Sequence, residues 1–296
     1  MRHLFVVNPK AGKGKGLKYV GWIHKYFQGS GDTYHVEFTK GPGDATEIVK
    51  RYVGTGDYRV YSIGGDGTLN EVLNGIVNSS SSLSVIAAGS GNDFFRNIDE
   101  ASGESLLYRT IAGTEKLVDI GKVNGRFFIN VASAGIDAEV AYNADRFKSL
   151  PLFKGMASYA AGVFYTVFKY KSVSSVVKVG TSSSNKETLL FAVANGKYYG
   201  GGMKIAPFAD ISDGYLDIYH VDRINPFRIM LLFPKLIKGS HGAIKEVSYF
   251  RSTAVVISSD REFLLNIDGE ISKVSEASFE IVPKGLKLVV PCDDGV

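Results

Sequence analysis

Three short stretches of this chain hold residues in spacings suited to handling phosphate. The first, Tyr61 to Ile76, reads YSIGGDGTLNEVLNGI. Gly64, Gly65 and Gly67 surround Asp66 just after an apolar run and just before a helical pattern. Glycines let a backbone approach a phosphate without a Cβ in the way, and a helix N-terminus offers unpaired N–H groups and a favourable dipole. The stretch matches neither G-x-x-x-x-G-K-[ST] nor G-x-G-x-x-G. A bare phosphate would repel Asp66. The carboxylate becomes useful if Mg²⁺ bridges it to the phosphates, or if it takes a proton from an attacking hydroxyl. Thr68 and Glu71 have capping-box spacing, so the helix is predicted to start at Thr68, with Leu69, Val72, Leu73 and Ile76 on its buried face. The second stretch, IAAGSGNDFFRNI (86–98), places Ser90, Asn92 and Asp93 on a small-residue turn. In the third, VVNPKAGKGKG, Gly12, Gly14 and Gly16 offer amides and Lys13 and Lys15 offer counter-charge. Alone, each also reads as an ordinary surface turn.

Two acidic turns lie further on. In DISDGY, Asp210 and Asp213 stand three apart beside a glycine, and two carboxylates with nearby carbonyls suit a hard cation. The same pattern fits a plain turn before a strand. In LLNIDGE, a strand pattern ends in Asp268-Gly269, leaving Glu270 either a catalytic acid or a solvent-facing hairpin residue. Spacing does not choose between Asp66 and Glu270 as a base.

Some framework must bring these turns together. Residues 1–123 alternate strand and helix patterns: HLFVVNP, a helix over 17–28, YHVEFT, a helix over 44–53, RVYSI, the glycine turn with its helix, and SVIAAG. That alternation predicts a doubly wound, Rossmann-like α/β domain, whose ligands bind at the carboxyl ends of its strands. NPKAGKGKG, TKGPGD, GGDGT and GSGND would then share one edge. From 124 to 283, short β runs separated by Gly, Ser, Asn and Asp predict an antiparallel, β-sandwich-like domain. The segment 284–296 is a candidate to rejoin the first domain. NSSSSLS (78–84) and GTSSSNKE (180–187) read as loops.

Composition bounds the rest. At 296 residues the chain is long enough for two domains, with ordinary hydrophobic (45%) and charged (22%) fractions. One cysteine, Cys292, excludes an internal disulfide and a Cys-cluster zinc site. The apolar run near the N-terminus is too short for a signal peptide, so a cytoplasmic protein is expected. Charge is unevenly placed: Arg146–Lys178 holds six basic residues and Arg223–Lys245 five, neither with an acid. Both windows are also apolar and aromatic, which suits either an anionic membrane surface or core helices with lysine ends. Basic residues separated by apolar runs argue against nucleic acid. The uncharged run 155–168 is shorter than the ~20 residues that span a bilayer.

Taken together, NPKAG (8–12), GGDGTLNEV (64–72), GSGNDF (89–94), NVASAGIDAEV (130–140), ANGKYYGGGMKIAPFADISDGYLDI (194–218) and NIDGE (266–270) resemble the catalytic domain of the diacylglycerol kinases, including bacterial lipid kinases and sphingosine kinases. GGDGT also occurs in NAD kinases, and the later motifs discriminate. The resemblance implies two domains with the active site in the cleft between them. It implies ATP held by Gly64, Gly65, Asp66, Gly67, Thr68, Leu69, Asn70 and Glu71. Asn8, Lys13, Thr39, Gly91, Asn92 and Ser90, where the family usually has threonine, complete that set. Glu270 would accept the proton of a lipid hydroxyl, with Asp66, Asp93 and Asp268 as further catalytic acids. Mg²⁺ would be held by Asp210, Asp213 and the Tyr215 carbonyl, and Asp213 linked through water and metal to Asp66 and Asp93. The implied function is ATP- and Mg²⁺-dependent phosphorylation of a lipid hydroxyl, most simply diacylglycerol, by an enzyme peripherally associated with an anionic membrane. A soluble NAD or sugar-phosphate kinase and a non-catalytic nucleotide- or lipid-binding relative remain alternatives.

Overall fold

Leu4, Phe5, Val6 and Val7 are wholly buried, as an unbroken apolar run in a central parallel strand should be. In the computed structural model, which describes residues 1–148, 163 and 165–293 (backbone alone for 144–148), they lie on β1 (Arg2–Val7). Parallel neighbours are β2 (Thr33–Phe38) on one side and β3 (Arg59–Gly64) on the other, followed by β4 (Ser82–Ala87). The helices are α1 (Lys18–Phe27), α2 (Asp44–Val53), α3 (Asp66–Ile76) and α4 (Gly103–Ile111). α1 packs with α4, and α2 with α3. Gly75 permits the second contact, since a Cβ there would lie 2.8 Å from the Val49 Cβ.

The second half is antiparallel. It contains β5 (Thr114–Val123), β6 (Arg126–Phe128), β7 (Val131–Gly135), α5 (Ile136–Lys148), β8 (Val173–Val179), β9 (Ser182–Ala194), β10 (Leu216–Asp222), α6 (Pro226–Lys238), β11 (Val247–Ser252), β12 (Ala254–Ile267) and β13 (Glu270–Val290). The expected pair of layers, α/β then β-rich, is present, but the strands form one continuous sheet of 13. β13 is the joint: its start pairs antiparallel with β12, while Lys287–Val289 runs parallel to Ser82–Ser84 of β4. β5 pairs along both parts of β13.

Three local expectations are corrected. The short β runs expected after residue 124 merge in places: 254–267 is one strand, β12, with an irregular register between Ser258 and Phe263, and 270–290 is one strand, β13. The serine-rich 182–187 segment is not a loop. It pairs with β8, where ladder hydrogen bonds outweigh weak strand propensity. Finally, α3 starts at Asp66, not Thr68. Gly65 is the N-cap and no side chain caps it, so the Thr68–Glu71 capping box does not form. Of the basic window 146–178, residues 149–162 and 164 lie outside the described residues.

Candidate active site

The carboxyl ends of β1, β3 and β4 bring three glycine loops to one edge. Their backbones meet so closely that side chains are excluded. A Cβ on Gly12 would lie 2.1 Å from the Ala88 carbonyl oxygen, and one on Gly89 would lie 2.4 Å from the Gly65 Cα. Asn8 Nδ2 donates to Thr68 Oγ1 at 3.0 Å, tying the first loop to the second. Thr39 lies at the same edge, its N–H donating to the Val7 carbonyl. Around Gly67 there is open space instead, and the amides of residues 66–68 precede the first helical bond of α3, Leu69 N to Gly65 O. This is a concave backbone cradle with free N–H groups and, from Lys13 and Lys15, nearby positive charge. It has the chemistry of a polyphosphate site.

Not every residue expected to touch nucleotide faces the cradle. Glu71 points to α2, accepting from the Gly43 and Ala45 amides at 2.8 and 3.0 Å. Asn92, at φ 53°, closes its own turn by exchanging hydrogen bonds with Gly89. Ser90 is exposed beside it. Leu69 is buried and Asn70 wholly so.

The acids lie on three sides of the cleft between the halves. Asp66 Oδ1 accepts from the Asp93 amide at 2.8 Å. Burial, reinforced by the like charges of Asp93 and Asp268, pushes the Asp66 carboxyl up to about 6. Asp93 is also shifted upward by burial. Its Oδ2 accepts from Gly201, while buried Oδ1 has no hydrogen-bond partner among the described residues and lies 4.0 Å from the Arg96 Nε. Asp268 and Gly269, at φ 48° and 98°, form the two-residue turn between β12 and β13. Asp268 turns inward and accepts from the amides of Ile129, Asn130 and Val131 and from Asn70 Nδ2, so it braces the cleft. Burial shifts its carboxyl upward against those bonds. Glu270, the first residue of β13, is half-exposed and accepts from Arg126 Nη2 at 2.6 Å.

Asp210, Asp213 and Tyr215 fall on one loop. Asp210 accepts from the Ser212 amide and hydroxyl, and Asp213 pairs closely with Arg251. Asp119, which sequence reading missed inside an ordinary strand pattern, clasps this loop: Oδ2 accepts from Gly214 and Oδ1 from Lys284, both at 2.7 Å. Among the described residues no three His, Cys, Asp or Glu side chains close into a metal cage. The feature that fits a hydrated cation is Asp93 Oδ1, buried beside Asp66 and without a hydrogen bond among the described residues.

A cavity of about 340 Å³ opens at Asp66, Asp93, Asn130 and Asp268 and runs into the second half between α5, β9 and α6. Its wall is apolar, with Leu69, Phe94, Val140, Phe233, Leu236 and Ile244. Sequence reading had no signal for this tunnel, because its wall comes from elements far apart in the chain. Arg126 was missed too, inside a run that reads only as a strand.

Family models match both halves. Residues 2–123 match the diacylglycerol kinase catalytic domain, and residues 130–290 match the YegS C-terminal NAD kinase beta sandwich-like domain. A diacylglycerol kinase of Bacillus subtilis is 26% identical over 294 residues, 98% of this chain and 96% of that protein. One from Staphylococcus epidermidis is 30% identical over 254 residues, 85% of this chain and 80% of the other. Among solved structures, a diacylglycerol kinase from Bacillus anthracis superposes with a TM-score of 0.71 at 21% identity, covering 100% of this chain and 98% of that one.

Proposed function

This chain belongs to the diacylglycerol kinase family and is a kinase, and from that premise we propose that it transfers the γ-phosphoryl group of ATP to the hydroxyl of diacylglycerol. The observation that carries the lipid assignment is the apolar tunnel ending at a group of carboxylates beside a glycine cradle. NAD or a sugar phosphate would bring polar surface against that wall and leave its hydrogen-bonding groups unsatisfied.

In this reading the free amides of residues 66–68, with Lys13 and Lys15, hold the phosphates. The acyl chains occupy the tunnel, so the acceptor hydroxyl meets the cradle at Asp66, Asp93 and Glu270. An oxygen–phosphorus bond forms as the γ-phosphorus leaves the β-phosphate oxygen, and the hydroxyl proton passes to a carboxylate. This reading gives the proton to Glu270: Asp66 Oδ1 is engaged by the Asp93 amide, while Glu270 is 40% exposed and bonds Arg126 through Oε2, leaving Oε1 to accept. Mg²⁺, when bound, would neutralise charge on the phosphates, with Asp66 and Asp93 as near ligands or water partners and Asp210, Asp213 and the Tyr215 carbonyl as a second set.

The same reading has a cytoplasmic enzyme meet an anionic membrane surface. Phe227 and Leu231 on the outer side of α6 are 74% and 78% exposed, beside Arg223, Arg228, Lys235 and Lys238. The other side of α6 walls the tunnel. No described helix is long and apolar enough to cross a membrane.

The test is transfer of labelled γ-phosphate, with Mg²⁺, to diacylglycerol and other lipid alcohols in mixed micelles, read by separating the lipid products. Label in phosphatidic acid is expected. Label only in water-soluble products would sink the lipid assignment.

A further inference from the structure

We propose that Arg126 contacts the phosphoryl group in transfer, bridging it to the acceptor base Glu270. The inference rests on the kinase reading above and adds a residue to its chemistry. A guanidinium carries five N–H donors in a rigid fork. In Arg126 one nitrogen makes two bonds: Nη2 donates to Glu270 Oε2 at 2.6 Å and to Asn70 Oδ1 at 2.8 Å. Among the described residues, Nε and Nη1 have no partner, and the side chain is 38% exposed at the cleft.

That placement is not a loose surface pair. Asn70 is wholly buried, and its amide is oriented by donating from Nδ2 to Asp268 Oδ2 at 3.0 Å and to the Phe127 carbonyl at 3.2 Å. The carbonyl end of Asn70 must therefore face Arg126. Asn70 stands four residues after Asp66 on α3, on the same helical face and about one turn from the amides of the cradle. The fork is thus aimed by a fixed group between the phosphate cradle and the candidate base. An exposed ion pair alone would contribute only about 0–1 kcal/mol and would need no such support.

Charge gives the arrangement a reason. Asp66, Asp93 and Asp268 line the mouth of the cavity, and Glu270 follows Asp268 and Gly269 at the start of β13. Among the described residues two guanidiniums reach these acids: Arg96 approaches Asp93 and Arg126 binds Glu270. During transfer the equatorial oxygens of the phosphoryl group are negative, and a preorganised cation there lowers the barrier. Arg126 keeps Nη2 on Glu270 and presents Nε and Nη1 to those oxygens. Its protonation does not change. The acceptor proton goes to Glu270 Oε1, the new oxygen–phosphorus bond forms, and the bond to the β-phosphate oxygen breaks.

The test uses the full chain with Mg²⁺-ATP and diacylglycerol micelles, comparing wild type, Arg126→Lys, Arg126→Ala, Glu270→Gln and the Arg126→Ala/Glu270→Gln pair. Wild type must first show lipid phosphorylation; its absence would defeat the underlying kinase reading, not this assignment in particular. Expected for Arg126→Ala is a fall in kcat of about 100-fold or more with a smaller change in the KM for diacylglycerol, and partial recovery on adding guanidinium ion. Arg126→Lys should remain at least ~10-fold down, since a compact ammonium lacks the planar fork that spans acceptors lying apart in fixed directions. Loss of Arg126 should still lower the residual rate in the Glu270→Gln background. An unchanged residual rate there would reduce Arg126 to a support for Glu270 and overturn the proposal. So would Arg126→Ala within about threefold of wild type. Thermal melts accompany each variant, and if Arg126→Ala fails to fold, Arg126→Lys with the double variant built on it decides the same question.

Discussion

Asp66 shows how one residue can work against stability in favour of chemistry. Its carboxyl is pushed up to about 6 from an ordinary 3.8, first by burial and then by Asp93. The folded chain therefore holds the proton more tightly than the unfolded chain does. The stability this confers is present below about pH 3.8 and is lost as pH rises through about 6. At pH 7.5 the ionised acid is a net burden of roughly 1–3 kcal/mol. Asp66→Asn keeps Oδ1 as acceptor for the Asp93 amide and removes the charge. Thermal melts of the metal-free protein should show the variant more stable than wild type at pH 7.5 and equal to it near pH 4. A variant less stable at both pH values would mean that the charge is already compensated. Turnover should move the opposite way, down about 100-fold, and Glu270→Gln should cost at least as much. Near-normal turnover in either variant would remove that residue from the mechanism.

At the scale of elements, the parts with strong periodicity were legible and the parts set by long-range partners were not. The buried run Leu4–Val7, α2 at Asp44–Val53 and the Asp268-Gly269 turn all lie where pattern and turn chemistry put them. The serine-rich start of β9 was hidden because its strand state comes from β8, not from its own residues. Glu71 was misread for a related reason. Its spacing from Thr68 suits a box on α3, yet its oxygens reach two amides at the start of α2. The candidate acids were visible by type; the braces Arg126 and Asp119 were not, since nothing local distinguishes them, and Asn70 was read as a nucleotide contact rather than as a brace. Glu71→Ala should therefore act across elements, losing about 1–2 kcal/mol by uncapping α2, with thermal melting as the measure. Gly12→Ala should do something different. Its Cβ would strike the Ala88 carbonyl at a backbone φ of +54°, so the cradle must open. Binding of an ATP analogue, followed by calorimetry, should weaken at least ~10-fold, and unchanged affinity would show that the first loop does not shape the site.

Across the whole molecule, β13 makes one sheet of two halves, so the glycine edge of the first half and the tunnel of the second share one frame of strands. In the proposed reading the acceptor leaves a membrane to reach that frame. α6 stands between the tunnel and the surroundings, with Phe233 and Leu236 turned inward and Phe227 and Leu231 outward. Asn225 caps its start, accepting from the Phe227 amide, so the helix is anchored where its most exposed aromatic residue begins. Burying a side chain of that size in the interfacial region is worth about 1.5–3 kcal/mol, enough to change membrane affinity by 10- to 100-fold, and the flanking cations add a term that salt screens. Leu231→Glu should therefore weaken binding to vesicles of anionic phospholipid at least ~10-fold in a sedimentation assay. The residue is already exposed, so thermal stability should hold. Turnover on a short-chain diacylglycerol presented in solution should also stay within about threefold of wild type, because the tunnel wall is untouched. If vesicle binding survived the substitution, or did not weaken from low to high salt, the outer face of α6 would not be the route by which this kinase meets its lipid.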